Sequence, residues 1–397
     1  MGYMRWKKKG YEMDEIAEKL VTRFSQIPRI YIFGAGIKGG ELAPILHKYG
    51  CLEAYIDNDI SKQQQGYKNR KVYSLNEYSK LKNGIIVLSA SHKNIPTMEK
   101  QLEFFNLRKG EDYFLHEEFC NKIFPILSVY HFNKLYINLA QITLTERCTL
   151  KCKKCAHGCF AVDNSTAIDM SVEQVYKSVD SFFSKIDFIK EFVLIGGETL
   201  LYKDLHQVIR YIGENYREQI GIYSITTNGT IIPNENIINA CKKYNVWFRI
   251  SNYTHQLPQL QEKYKKLVEY LAKNDILYVL GKKETQWIDY GFDYLDRKAT
   301  KDELIKVFDL CHTPCREIRE NRFYYCVMAR SISENLGYHI GQDDYLDLDK
   351  LKGKEYKKEL LEFTLGYSEK GYLDMCNHCN GAEARNYPIP AAEQVER

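Results

Sequence analysis

Cys148-Thr-Leu-Lys-Cys152-Lys-Lys-Cys155 gathers three thiols within eight residues. Three close thiolates can hold three irons of a 4Fe-4S cluster from one loop and leave the fourth iron without a protein ligand. That open position follows the logic that separates catalytic from structural metal sites. A zinc site is the competing reading, and Cys159 or His157 could supply the fourth ligand it needs. The chain holds twelve cysteines in 397 residues, and in a reducing compartment clustered cysteines read as metal ligands rather than disulfides. Cys51, Cys120 and Cys241 stand alone in apolar or helical patterns and read as small core residues. Cys311, Cys315 and Cys326, with Cys376 and Cys379, make a second set of thiols late in the chain that could close on one site.

The triplet needs a scaffold, and the sequence around it alternates strand and helix. Strands are expected at Leu135 to Leu144, Glu191 to Ile195, Gly221 to Thr226, Val246 to Ile250 and Ile276 to Leu280. Helices are expected between them, at Ser171 to Ile186, Asp204 to Tyr216, Asn234 to Tyr244 and Gln259 to Lys273, the first opened by the capping pair Ser171 and Gln174. Such alternation predicts a parallel sheet in a full or partial barrel. Successive strands run into Gly196-Gly197-Glu198, Thr226-Thr227-Asn228-Gly229 and Ser251-Asn252. These polar groups share the C-terminal strand face with the cysteine loop, where barrel enzymes carry their active sites. Glycine and asparagine are also ordinary turn residues. Glu198 beside two glycines combines close backbone approach with a carboxylate able to accept from an amine.

The CxxxCxxC triplet, the Gly-Gly-Glu strand end and the Thr-Asn-Gly strand end resemble, in order and spacing, the radical S-adenosylmethionine (SAM) superfamily over about Leu135 to Leu280. The resemblance implies a partial (βα)6 barrel whose 4Fe-4S cluster is held by Cys148, Cys152 and Cys155, with SAM bound to the open iron. It further implies that Gly196, Gly197 and Glu198 contact the methionine end of SAM and that Asn228 and Ser251 or Asn252 lie nearer the ribose. The implied chemistry is one-electron cleavage of SAM to methionine and a 5'-deoxyadenosyl radical, which takes a hydrogen atom from a small-molecule substrate. The electron would come from a partner such as flavodoxin or ferredoxin. Two positions depart from the family pattern: Lys154 replaces the usual aromatic residue before the third cysteine, and Thr199 replaces a proline. Neither removes a ligand.

Cys311 to Cys326, with Asn321 at the usual glycine position, and the closing pair Cys376-Asn-His-Cys379 resemble the twitch or SPASM extensions of this superfamily. The resemblance implies one auxiliary 4Fe-4S cluster, with Cys315 as a fifth candidate ligand; a single zinc held by four of the five thiolates is the alternative. Asparagine tolerates positive φ, so the turn can survive the exchange. Beyond about Tyr290 the alternation is lost, apart from a helix opened by Thr300 and Glu303, and an irregular metal-organised tail is expected.

Near the N-terminus, a strand at Arg29 to Phe33 runs into Gly34-Ala-Gly36-Ile-Lys-Gly39 and a helix from about Gly39 to Tyr49. Asp57 follows at the end of the next strand, Leu52 to Ile56. This is the setting of a dinucleotide fingerprint, with phosphates at the helix N-terminus and the ribose on Asp57. The short module resembles nucleotide-binding-like domains of sugar-modifying and glycan-assembly enzymes, and NAD, a nucleotide sugar and no ligand all remain open.

The expected fold class is α/β: a Rossmann-like nucleotide-binding domain over 1–125, a partial (βα)6 TIM-like barrel over 130–295 and a small iron-sulfur domain over 300–397. With 44% hydrophobic and 27% charged residues the chain should be globular. A net charge of +4 gives no case for a nucleic-acid partner, although Lys7 to Lys9 make a basic run, and no apolar stretch is long enough for a membrane helix. A cytoplasmic location is expected. The leading expectation is an oxidoreductase acting on a small carbohydrate-like or sugar-nucleotide substrate by oxidation or epimerisation. The alternatives are peptide modification and a non-catalytic iron-sulfur or zinc protein that senses nucleotide.

Overall fold

The computed structural model describes residues 11–311, 313, 315–353, 355–367 and 369–395; the Lys7 to Lys9 run lies outside them. One compact unit ends at Tyr136 and a second begins at Ile137. Both boundaries differ from those expected. The break near Glu117 to Pro125 is instead continuous helix, His116–Glu118, Phe119–Ile123 and Phe124–Tyr130. Pro125 sits just after the wider turn Phe119–Ile123, in which Phe124 N reaches back five residues to Phe119 O, so the proline's missing N–H falls where the helical bonding pattern is already interrupted. The barrel and the expected separate C-terminal domain form one unit.

In the N-terminal unit β1 (Ile30–Phe33), β2 (Leu52–Ile56), β3 (Val72–Tyr73), β4 (Ile85–Leu88) and β5 (Tyr113–Leu115) pair in parallel in the order β3-β2-β1-β4-β5. Every residue of β1 and β4 is buried, as expected of strands covered on both faces. The order reverses between β1 and β4, the switch point at which doubly wound sheets receive ligands beyond the carboxyl ends of their strands.

The second unit contains β6 (Tyr136–Thr143), β7 (Phe188–Ile195), β8 (Ile220–Thr227), β9 (Val246–Ile250), β10 (Tyr278–Leu280), β11 (Gln286–Ile288), β12 (Arg316–Arg319), β13 (Arg322–Tyr324), β14 (Tyr345–Asp347) and β15 (Pro388–Pro390). Its eight-stranded sheet runs β10-β9-β8-β7-β6-β12-β13-β14, and β11 pairs antiparallel with β15. β7 to β10 build outward from β6 in chain order, a partial barrel. β12 then joins the far side of β6 in parallel, Arg316 opposite Ala140 and Ile318 opposite Ile142. A segment from late in the chain therefore takes the place next to the first barrel strand.

Local chemistry explains several of these elements. Both capping boxes close, Ser171 with Gln174 and Thr300 with Glu303. The helix Val172–Phe183 that follows Ser171 sets Phe182 against Phe192 of β7 and Phe323 of β13, with ring centroids 6.1 and 5.4 Å apart. Such pairs contribute about 0.5–1.5 kcal/mol each beyond burial, and here they bind the tail to the barrel. The tail is more regular than expected, with helices Val327–Leu336 and Tyr356–Thr364. Asn321 is not the left-handed residue of the β12–β13 turn; Glu320 is, at φ 54°. The Asn321 amide instead donates to Asp347 at 2.9 Å. Among the described residues no helix is long and apolar enough to cross a membrane.

Candidate active site

The Cys148–Cys155 loop leaves β6 and is laced to the end of β7. Gly197 N donates to Thr145 O and Glu198 N to Arg147 O, both at 2.8 Å. The glycines allow this approach: a Cβ on Gly196 would lie 2.7 Å from Thr145 O, and one on Gly197 2.9 Å from Cys148 Cβ and closer still to the Arg147 carbonyl. Arg147 is fixed in turn by Asp169, its Nε donating at 3.1 Å.

All three thiols lie within electrostatic reach of one another. Burial pushes Cys148 and Cys152 each up to about 12. Cys155 is held down, first by a hydrogen bond from Cys159, and the same bond raises Cys159. Cys159 thus serves Cys155 as a donor. Chain donors also meet the other sulfurs: Leu150 N at 3.5 Å and Asn228 Nδ2 at 3.6 Å on Cys148, and Gln394 Nε2 at 3.2 Å on Cys152. Bare thiolates would repel one another in so dry a loop, whereas a cationic metal centre reverses that penalty. Donors aimed at sulfur are the environment an iron-sulfur cluster uses. The donor set fits such a group. Among the described residues no three His, Cys, Asp or Glu side chains close tightly enough to hold a single ion.

Glu198 is fully buried and committed to its own chain. It accepts from Leu200 N at 3.1 Å, Thr227 Oγ1 at 2.7 Å and Asn228 N at 2.8 Å, joining the ends of β7 and β8, while burial raises its pKa. Asn228 reaches back to the cysteine loop, its amide donating to Thr149 Oγ1 at 3.0 Å. Ser251 hydrogen-bonds Tyr253, and Asn252 Nδ2 donates to Gly281 O at 3.3 Å. Thr199, in the place of the family's proline, is buried and donates to Thr226 O at 2.7 Å.

Beside Cys155 lies a cavity of about 470 Å³ whose lining includes Lys154, His157, Tyr253, Gln286, Trp287 and Tyr290. Tyr253 and Trp287 meet edge to face at 5.5 Å, and the indole N–H is anchored by Glu284 at 2.7 Å. Burial lowers the pKa of His157, so its imidazole is neutral near pH 7, and its ring nitrogens lie 3.4–3.5 Å from Gln141, Thr143 and Ser331. Below the loop, Arg330 is fully buried, 2.5 Å from Glu146, 2.7 Å from Glu317 and 3.1 Å from Glu334. Glu317 is also fully buried, and burial raises its pKa despite Arg330. Sequence reasoning missed Arg330, Trp287 and Gln394, because none lies in a spacing that marks chemistry.

Residues 142–279 match the Radical SAM superfamily model. The chain carries a radical SAM domain. A GTP 3',8-cyclase of Syntrophomonas wolfei subsp. wolfei is 36% identical over 96 residues, 24% of this chain and 28% of that protein. Two solved structures are similar in part. BtrN in complex with AdoMet and 2-DOIA is 12% identical with a TM-score of 0.35, over 64% of this chain and 98% of that one. Native anSMEcpe with bound AdoMet and Cp18Cys peptide is 18% identical with a TM-score of 0.30, over 36% and 42%. The chain thus spans under a third of the curated relative's length.

Within the same unit as the radical SAM domain, the tail draws Cys311, Cys326, Cys376 and Cys379 into one electrostatic neighbourhood. Burial raises Cys326, Cys376 and Cys379, the last to about 12. Cys315, the fifth candidate, lies beside Arg316 and Arg249 and shares Tyr290 as a neighbour with Cys311, Cys326 and Cys379. Tyr290, which lines the cavity beside Cys155, also has the tail cysteines as neighbours, Cys311 foremost.

In the N-terminal unit the three glycines have separate reasons. Gly34 adopts φ 117°, and a Cβ there would run into Ser89 O. Gly36 faces open space, with nothing within 4 Å of an added Cβ; Gly39 packs its helix against β1, where a Cβ would lie 2.9 Å from Ile32 Cγ2. A tight turn, an open approach and a close helix–strand contact are the three roles a dinucleotide fingerprint asks of its glycines. Asp57 is already engaged, accepting from Ala35 N at 2.7 Å with Lys62 Nζ at 3.3 Å, so it braces the turn rather than standing free for a ribose.

Proposed function

We propose that the chain is a radical SAM oxidoreductase that acts on a small carbohydrate-like or sugar-nucleotide substrate, by oxidation or epimerisation. The observation that carries its SAM chemistry is the buried thiol triplet, with N–H donors on its sulfurs, fastened to glycines at the C-terminal edge of a parallel sheet. Cys148, Cys152 and Cys155 would hold a 4Fe-4S cluster, which when bound supplies the electron that splits SAM into methionine and a 5'-deoxyadenosyl radical. Gly196 and Gly197 seat the loop against the end of β7, where the methionine end would lie, and Asn228, Ser251 and Asn252 would stand toward the ribose. Glu198 acts through the chain, holding two strand ends in register with the loop. The cavity's aromatic walls would cover a ring while Gln286 and neutral His157 bind its hydroxyls, and enclosure keeps water from a radical. The partial likeness to a GTP 3',8-cyclase fits a nucleotide-bearing substrate. Cys311, Cys326, Cys376 and Cys379 would hold an auxiliary cluster.

Anaerobic reconstitution followed by SAM and dithionite should yield 5'-deoxyadenosine. Its absence from a sample with full iron would reject the enzyme reading. Changing Cys148, Cys152 and Cys155 to alanine should stop the cleavage and leave roughly four irons on the tail thiols; no remaining iron would reject the auxiliary cluster.

For the N-terminal unit the same proposal assigns NAD or a nucleotide sugar to the glycine turn, supported by the open space at Gly36 and the switch point beside it. Calorimetry of the full chain should give heat with NAD or with a UDP-sugar. Silence with both would leave that turn without a nucleotide.

A further inference from the structure

Lys154 occupies a left-handed backbone position, φ 57°, that lysine seldom takes. Its side chain turns largely away from water. It is 13% exposed, with Nζ 3.3 Å from Asp289 Oδ1, against Asp293 Oδ1, and 3.6 Å from the centre of the Tyr294 ring. Asp289 is equally enclosed and is fixed by Gly291 N and the Tyr294 hydroxyl, both donating at 2.7 Å. Phe292, between the two aspartates, stacks on Phe160 at 6.3 Å. The cation therefore leaves the cysteine loop and ends in the segment that directly continues Trp287 and Tyr290, the cavity's aromatic wall.

We propose that Lys154 is a positioning residue: gripped by Asp289 and Asp293, it fastens the loop of Cys152 and Cys155 to the aromatic wall opposite and so fixes the place of the loop on which SAM would be held. The departure from the family's aromatic residue is thereby a replacement of one fixture by another. Without the ammonium, the enclosed Asp289 and the more exposed Asp293 stand close together with no counter-charge, and the wall segment must shift or take up a proton. The assignment rests on the reading that this domain binds SAM.

The test uses the reconstituted full chain and reads iron content, SAM affinity by equilibrium dialysis, and the change in the reduced cluster's electron paramagnetic resonance spectrum when SAM is added. Lys154→Met should load native iron yet bind SAM about tenfold more weakly, with a diminished spectral change. Lys154→Arg keeps the charge and should stay within about threefold of native. SAM affinity within about twofold of native in an iron-loaded Lys154→Met chain would overturn the clamp. Should that variant fail to fold or load, Asp293→Asn decides, since Asp293 is the more exposed partner at 28%: weaker SAM binding supports the clamp and native binding overturns it. An iron-loaded native chain that binds no SAM sinks the SAM reading itself, a result separable from the others.

Discussion

Gly197→Ala is expected to leave the chain folded and to strip the barrel of its iron. The added methyl would lie 2.7 Å from the Arg147 carbonyl carbon and 2.9 Å from Cys148 Cβ. Both obstacles belong to the loop that carries the thiols. Gly197 is not among the residues at positive φ, so alanine suits its backbone and the cost is steric rather than conformational. Overpacking of this kind costs about 1–3 kcal/mol, relieved here by pushing the loop away from β7. That shift breaks the Glu198 N to Arg147 O bond and carries Cys148 out of place. Iron analysis should show loss of the barrel's share, with the circular dichroism melt little changed and 5'-deoxyadenosine formation abolished. Full iron with normal SAM cleavage in this variant would refute the account.

Arg330→Met should cost about 3–5 kcal/mol, the scale for removing one partner of a buried ion pair. The loss leaves Glu317 fully buried and Glu146 nearly so, each without its guanidinium. Burial already raises the Glu317 pKa from its ordinary value, and removing Arg330 should raise it further. A carboxyl whose folded pKa lies above its unfolded value keeps its contribution at low pH and loses it as pH rises through the folded pKa. The deficit of the variant should therefore be larger at pH 8 than at pH 5. Urea unfolding of both chains at the two pH values checks this, and an equal or smaller deficit at pH 8 would count against it. Adding Glu317→Gln to the variant should recover part of the loss.

The barrel strands are legible because each is a short apolar run ending in a polar cluster, and because capping pairs such as Ser171 and Gln174 mark helix starts. The thiol triplet and the Gly-Gly-Glu end are equally legible, since their partners lie close in sequence or in successive strand ends. The tail is different. Val327–Leu336 has apolar residues four apart at Met328, Ile332 and Leu336, but that period does not foretell that Arg330, Ser331 and Ser333 are buried as well, the arginine neutralised by a distant Glu146 and Glu317. Nor does spacing separate Cys311 from Cys315, since both come close to Tyr290 in the fold. Asp57 shows the same limit in the N-terminal unit. Its place after β2 fits a ribose ligand, but only the fold reveals that Ala35 N already holds it.

The hydrogen bond from Gln394 to Cys152 joins residues 242 positions apart, and β12 reaches β6 from Arg316 to Ala140, also far along the chain. A ribosome delivers residues in order, so the loop of Cys148, Cys152 and Cys155 is made long before the partners that enclose it. Pairings this distant in sequence close slowly and late in folding. During that interval the three thiols would be open to whatever supplies iron and sulfide, before the stretch around Gln394 shuts over Cys152. The order of synthesis thus gives cluster assembly its window before the site becomes buried.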